Sequence, residues 1–253
     1  MTPAERAAEA LAAIPGWQGA RLARLDGGVI NETWLVDDGG RRAVLRLDAE
    51  PRHFPLNSRR DEATVQRSAA EAGLATEVLH AADGVYLAVF AAGAPWNAKW
   101  LADPDRLMAL GRRLRELHSL PLTGRTFDAL AAAELYVRRL QGRDVDRAEV
   151  ERRLATIRAY RAPANLCCCH NDLVAENIVS TPDILFIDWD YACDNDPFFD
   201  LATVIEHHHL SQRSAIVLLD AYFGGGGDAW LKQLGRMREL YAALAWLWEA
   251  SRD

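Results

Sequence analysis

What this sequence lacks narrows its function first. It lacks an excess of basic charge: 29 Lys and Arg stand against 36 Asp and Glu, a net charge of −7. Nucleic-acid recognition needs a basic face, so no nucleic-acid partner is expected. It lacks any apolar run approaching the roughly 20 residues of a membrane span, and no signal peptide precedes its first helix. No membrane insertion is expected, and the chain reads as a soluble, cytoplasmic protein with reduced thiols. It is poor in cysteine. Of the four, Cys167, Cys168 and Cys169 are consecutive and Cys193 stands alone. Neighbours on a strand point to opposite faces, so the triplet is a poor disulfide framework. The spaced pairs typical of zinc sites are absent, and the three read as small apolar residues of a buried strand. His207, His208 and His209 fare no better as a metal cluster, because consecutive helical residues diverge by about 100° each.

What is present suffices for a full core. The chain has 253 residues, half of them hydrophobic, enough for one large domain or two lobes. Thr2-Pro3-Ala4-Glu5 carries the signals of a capped helix, which runs to Pro15-Gly16. Strands are predicted at 20–25, 33–36 and 43–47, joined by turns at 27–32 and 37–40. A helix is predicted over 57–72 and a strand over 85–90. The small, breaker-rich segment 91–95 reads as a hinge, dividing an N-terminal nucleotide-binding lobe (1–90) from a C-terminal catalytic and substrate-binding lobe (91–253). The second lobe is mainly helical, with helices after Asp103-Pro104, over 127–140 and 147–161, and from about Asp228. His118, near the end of the first of these, reads as a packing or capping residue.

The chemistry concentrates in a short stretch: a strand at 166–169, a loop His170-Asn171-Asp172-Leu173-Val174-Ala175-Glu176-Asn177, a hairpin over 177–180 and 184–187, then Asp188. The order His-x-Asp-x-x-x-x-Asn followed by a strand-end Asp matches the parts of kinase-type phosphoryl transfer. That reaction depends mostly on positioning and charge neutralisation. Asp172 is the candidate to accept or orient the attacking hydroxyl, with His170 shaping the loop. Asn177 and Asp188 offer hard oxygen ligands to Mg2+. In the first lobe, the Gly27-Gly28 turn can lie over phosphates. Arg46, apolar-flanked on its strand, is the candidate for the nucleotide phosphates, and a carboxylate of the following helix would hold it. Glu62 is preferred, with Asp61, one residue away, left open.

These residues resemble the choline kinase and aminoglycoside phosphotransferase superfamily, most of all its bacterial choline kinase-like branch. The resemblance rests on the His170–Asn177 loop, Ile187-Asp188-Trp189-Asp190-Tyr191-Ala192, Asn195-Asp196-Pro197, Phe199-Asp200-Leu201-Ala202 and Gly27-Gly28-Val29-Ile30-Asn31-Glu32-Thr33, and it covers nearly the whole chain. It implies an α+β, two-lobed protein kinase-like fold, a small antiparallel-sheet lobe and a larger helical lobe, with ATP in the cleft and Asn31 in the nucleotide loop. It implies an ATP- and Mg2+-dependent kinase acting on the hydroxyl of a cationic alcohol, choline first. Thiamine, ethanolamine, an amino sugar and an aminoglycoside are the alternatives, and a catalytically silent nucleotide-binding module is the reading from another class. In choline kinases aromatics of the last helices cage the quaternary ammonium. Trp246 and Trp248 are the candidates here, although Ala245 stands where the motif carries its other Trp. Asp190 replaces the family's usual Glu, Asp194 and Asp196 would add negative potential near a cation, and Asp190 and Asp194 are the carboxylate candidates for the substrate. A monomer or homodimer is expected.

Overall fold

The computed structural model describes residues 2–25, 31–52 and 54–252. The chain divides into two compact units, 1–94 with 181–191, and 95–180 with 192–253.

The first unit begins with α1 (Pro3–Ala12). Its capping box is complete: Thr2 Oγ1 accepts from the Glu5 amide at 3.2 Å, and Glu5 Oε2 accepts from the Thr2 amide at 2.7 Å, relieving two donors that the helix cannot satisfy. There follow β1 (Arg21–Arg24), β2 (Asn31–Asp37), β3 (Arg42–Asp48), α2 (Arg59–Glu71), β4 (Val78–Ala82) and β5 (Val85–Val89). The strands form an antiparallel sheet in the order β1-β2-β3-β5-β4. β4 escapes sequence reading because its register shifts between Val78 and His80, which breaks the alternation that marks a strand.

The two sheet faces differ. Trp34, Val36, Leu45, Leu47 and Leu87 pack against Ala7, Leu11, Ile14 and Trp17 of α1 and the turn after it. Tyr86 and Ala88 pack on the other side with Ala63 of α2. Arg46 lies between Leu45 and Leu47, so the two-residue strand period sends it to the α2 face. There it is paired in register with Tyr86. α2 buries Arg59, Glu62, Ala63, Val65, Gln66 and Ala69, a set that is half polar.

The chain then continues through the two-residue β6 (Ala94–Pro95), α3 (Ala98–Leu101), α4 (Pro104–Leu117), α5 (Ala129–Arg139) and α6 (Arg147–Ala159). Next come β7 (Cys167–Cys169), a 3-10 turn at Ala175–Asn177, β8 (Ile178–Ser180), β9 (Ile184–Phe186) and β10 (Cys193–Asn195). α7 (Phe198–His207), α8 (Gln212–Phe223) and α9 (Leu231–Ala250) complete the chain. The sequence places everything beyond residue 90 in one lobe, yet 181–191 belongs to the first unit. Local hydrogen bonds give the reason: the Phe186 amide donates to Leu74 O at 2.8 Å and the Asn57 amide to Asp190 O at 2.8 Å. Asn57 Nδ2 also donates to Trp189 O at 3.1 Å.

In the second unit, Leu107, Leu110, Leu114 and Leu117 bury one stripe of α4, and α7 is buried from Phe198 to Ile205. α4 and α8 approach closely at Gly111: a Cβ there would stand 2.7 Å from Ala221 Cβ and 2.8 Å from Leu218 O. β7 and β10 pair antiparallel, Cys168 opposite Asp194. No helix among the described residues is long and apolar enough to cross a membrane.

Candidate active site

Each unit carries its own group of candidate residues. In the first, Arg46 is 8% exposed and Glu62 fully buried. Arg46 forms ion pairs with Glu62 and Asp188, and a third with Asp190 at 3.1 Å. The helix face decides between the two carboxylates left open: Asp61 accepts from the Ser58 hydroxyl at 2.7 Å, back at its own helix start, and Glu62 faces the sheet. Two further guanidinium groups join. Arg52 pairs with Asp190 at 2.8 Å and Glu62 at 3.2 Å. Arg59 pairs with Asp48 at 2.5 Å and Glu62 at 2.8 Å. Asn31 donates to Asp190 at 3.0 Å and accepts from Arg59 at 2.9 Å. Tyr86 lies under two of the cations, its ring centre 4.9 Å from Arg46 and 5.5 Å from Arg59, and donates its hydroxyl to Gln66 at 2.9 Å.

Three guanidinium groups and four carboxylates thus share one buried network. Burial opposes ionisation of Asp190, but Arg46, Arg52 and Arg59 outweigh it and hold the carboxyl below the usual range. Asp188 goes the other way, pushed up by partial desolvation and then by the Asp190 charge. Its side chain is 40% exposed, so of the pair it is the one open to a ligand. Burial and the Arg46 charge lower Arg59 to about 10.

In the second unit the His170 loop is held through its backbone. Asp200, fully buried on α7, accepts from the His170 amide at 2.8 Å and the Asn171 amide at 2.7 Å. It also bonds His118 Nε2 at 3.0 Å. Asn171 has φ 64°, a left-handed conformation that Asn tolerates better than most residues. Its side chain accepts from Asn195 Nδ2 at 2.7 Å. The chain then turns so that Asn177 Nδ2 donates to Asp172 O at 2.9 Å and Asp172 Oδ2 at 3.1 Å. Those bonds leave Asn177 Oδ1 as the oxygen available to a cation. Asp172 is half-buried and His170 fully buried. Asp188, the other proposed metal ligand, also has a left-handed backbone, φ 67°. Such outliers gather where geometry is imposed by function.

The structure therefore brings Asn31, Arg46, Glu62, Asp188 and Asp190 together in one unit, and His170, Asp172 and Asn177 in the other. Gly27 and Gly28 lie outside the described residues. Two expectations change. Asp194 offers no carboxylate to a substrate: it accepts from the Thr123 amide at 2.7 Å, the Thr123 hydroxyl at 2.9 Å and the Gly124 amide at 2.9 Å. Trp246 and Trp248 do not stand together, since residues two apart on a helix diverge by about 200°. Arg153 lies over Trp246 at 5.8 Å and Arg252 over Trp248 at 4.5 Å. The aromatic groups that feel the Asp172 charge are Tyr136 and Tyr241. Burial and then Asp172 push the Tyr241 phenol upward. Burial, opposed by Arg139 and helped by Asp172, pushes Tyr136 up to about 12. Tyr241 also meets His207 Nδ1 at 2.9 Å and the Phe199 ring at 5.8 Å. His208 points elsewhere and accepts from the Ala175 amide at 3.0 Å.

The sequence profile of the phosphotransferase enzyme family matches residues 21–247. Protein LicA of Haemophilus influenzae is 32% identical over 208 residues, 78% of this chain and 61% of LicA. The chain thus spans less than two thirds of the length of that curated relative. Among solved structures, a choline/ethanolamine kinase family protein from Mesorhizobium loti superposes with a TM-score of 0.76 at 28% identity, covering 97% of this chain and 84% of that one. Choline kinase LicA from Streptococcus pneumoniae gives 0.74 at 18% identity, covering 92% and 85%. The fold shared with these proteins is the α+β, protein kinase-like one.

Proposed function

The chain belongs to the phosphotransferase enzyme family, and from that premise we propose that it is an ATP-dependent kinase that phosphorylates the hydroxyl of a cationic alcohol, choline first. The observation that carries the reading is the loop from His170 to Asn177, whose backbone Asp200 pins at two successive amides while Asn177 fixes the Asp172 carboxylate. A carboxylate so held can accept a hydrogen bond from a substrate hydroxyl and keep its oxygen aimed for attack. Arg46, steadied by Glu62, is the candidate for the nucleotide phosphates, as a charged and bidentate donor. Asn31 and the Gly27-Gly28 turn are further candidates at the nucleotide.

Each by its own chemistry, Asp188 and Asn177 are candidate magnesium ligands: Asp188 offers a carboxylate and Asn177 a carboxamide oxygen, both hard ligands. Magnesium, when bound, neutralises charge on the phosphate oxygens. Arg46 already pairs with Asp188, so this guanidinium must share or yield that carboxylate when the cation arrives.

For the alcohol's cationic end, the aromatic candidates are Tyr136 on α5 and Tyr241 on α9, the second set against the Phe199 ring at 5.8 Å on the helix that carries Asp200, and both near enough to Asp172 for its charge to act on them. An aromatic face attracts a quaternary ammonium by up to about 2 kcal/mol when desolvated. The name of the Mesorhizobium loti relative supports choline or ethanolamine. The test is an ATP-consumption screen over choline, ethanolamine, thiamine, amino sugars and aminoglycosides. Choline should give the highest kcat/KM. Preferential turnover of an aminoglycoside, or turnover of none, overturns the assignment.

A further inference from the structure

β7 and the end of α4 build a second cluster that phosphoryl transfer does not use. Cys167 and Cys169 are two apart on β7, so the strand period that separates Cys168 from them brings both to one face. Their sulfurs lie 3.5 Å apart. A ring nitrogen of His118 joins them, all three ligand atoms lying within 4.8 Å of one another. In a tetrahedral zinc site with Zn–S near 2.3 Å, two thiolate sulfurs lie about 3.8 Å apart. Spaced Cys pairs are therefore unnecessary: one strand supplies two ligands and a helix end supplies the third.

The imidazole is prepared for this role. Asp200 stands 3.0 Å from Nε2, and this carboxylate already accepts two backbone amides. It therefore acts as acceptor for Nε2–H and leaves the lone pair on Nδ1. A carboxylate behind a histidine in this way is the usual support for a metal-ligating ring. Nδ1 now meets the Tyr222 hydroxyl at 2.7 Å, a hydrogen bond that a metal–nitrogen bond would replace, with water as the fourth ligand. We propose that Cys167, Cys169 and His118 form a binding site for a thiophilic divalent cation of the zinc class. Thiolate and imidazole donors select such an ion over magnesium. On binding, each thiol loses its proton to solvent as a metal–sulfur bond forms, and the two thiolates balance the dication. The thiols now face the Asn195 and Asp196 carbonyls at 3.6–3.7 Å, weak contacts that are readily exchanged. Because Asp200 holds both His118 and the loop amides, the ion braces the root of the His170 loop.

The experiment loads the full, reduced chain with zinc, removes loose metal by gel filtration and counts what remains by mass spectrometry. One equivalent per chain is expected, with a raised Tm. Cys167→Ser, at a partly exposed position, should weaken retention by more than the roughly 10- to 100-fold typical of changes behind a ligand. His118→Gln should do the same. Cobalt(II) in place of zinc should give a thiolate charge-transfer band in the wild type, which decides the matter even where a variant misfolds. Zinc retained equally by Cys167→Ser, as binding at His207–His209 would give, overturns the proposal. So does a wild-type cobalt spectrum without thiolate character, or isolation of the chain with a Cys167–Cys169 disulfide that binds no metal.

Discussion

In the first unit Arg46 is held by other charged side chains. In the second, Asp172 sits on a loop held by backbone amides that converge on Asp200. The charged network is exchangeable: its guanidinium groups and carboxylates pair with one another now, and the same groups are suited to phosphate and metal. The loop is preorganised, since Asp200 already holds two of its successive backbone amides. Removing one partner from the network leaves a buried charge uncompensated. Removing Asp172 leaves the scaffold of its loop in place.

Four measurements test that contrast. The largest effect is expected from Asp172→Ala, a fall in kcat of roughly 10²–10⁴-fold with ATP affinity kept. Equal loss of ATP binding, read by calorimetry, would mean that the loop is not separable from the nucleotide groups. Glu62→Ala should cost about 3–5 kcal/mol of stability, seen as a lower denaturation midpoint, and should raise the KM for ATP. An unchanged midpoint would show that Arg52 and Arg59 redistribute freely. The third effect is a pH dependence. Asp190 ionises below its unfolded value of about 3.9, so the unfolded chain binds more protons as pH falls. Its stabilisation is complete above that value and is lost as pH drops through the lower, folded value. Asp188, displaced upward, contributes with the opposite sign. Asp190→Asn should therefore flatten the acid limb of stability against pH; an identical limb would remove Asp190 from the network. The smallest pair compares aromatics. Tyr241→Ala should weaken choline by up to about 2 kcal/mol, and Trp248→Ala by a few tenths at most, its ring being occupied by Arg252. A reversed order would restore Trp248 to the substrate.

What is local was legible in the sequence. The Thr2–Glu5 capping box lies within four positions, and the His170–Asn177 loop carries its candidate residues within eight. Arg46 stood out because an Arg between Leu45 and Leu47 conflicts with its strand. The misses are non-local. Arg52 and Arg59 look like ordinary surface arginines until the chain returns at Asp190, 131 residues beyond Arg59. Asp200 sits in an apolar helical run, and a buried carboxylate there was itself the available signal. Asp194 looked free because its partners, Thr123 and Gly124, lie about seventy residues earlier. Trp246 and Trp248 are neighbours in sequence, but two apart on α9 they diverge by about 200°.

One close fit has a mechanical reach beyond its own position. At Gly111, α4 touches the backbone of α8 at Leu218 with no room for a methyl group. The same two helices meet again where His118, at the end of α4, bonds Tyr222 of α8, and His118 in turn reaches Asp200. The missing side chain at residue 111 works as a shim of zero thickness. It sets the gauge between two helices, and so the place from which His118 meets the carboxylate that seats the His170 loop.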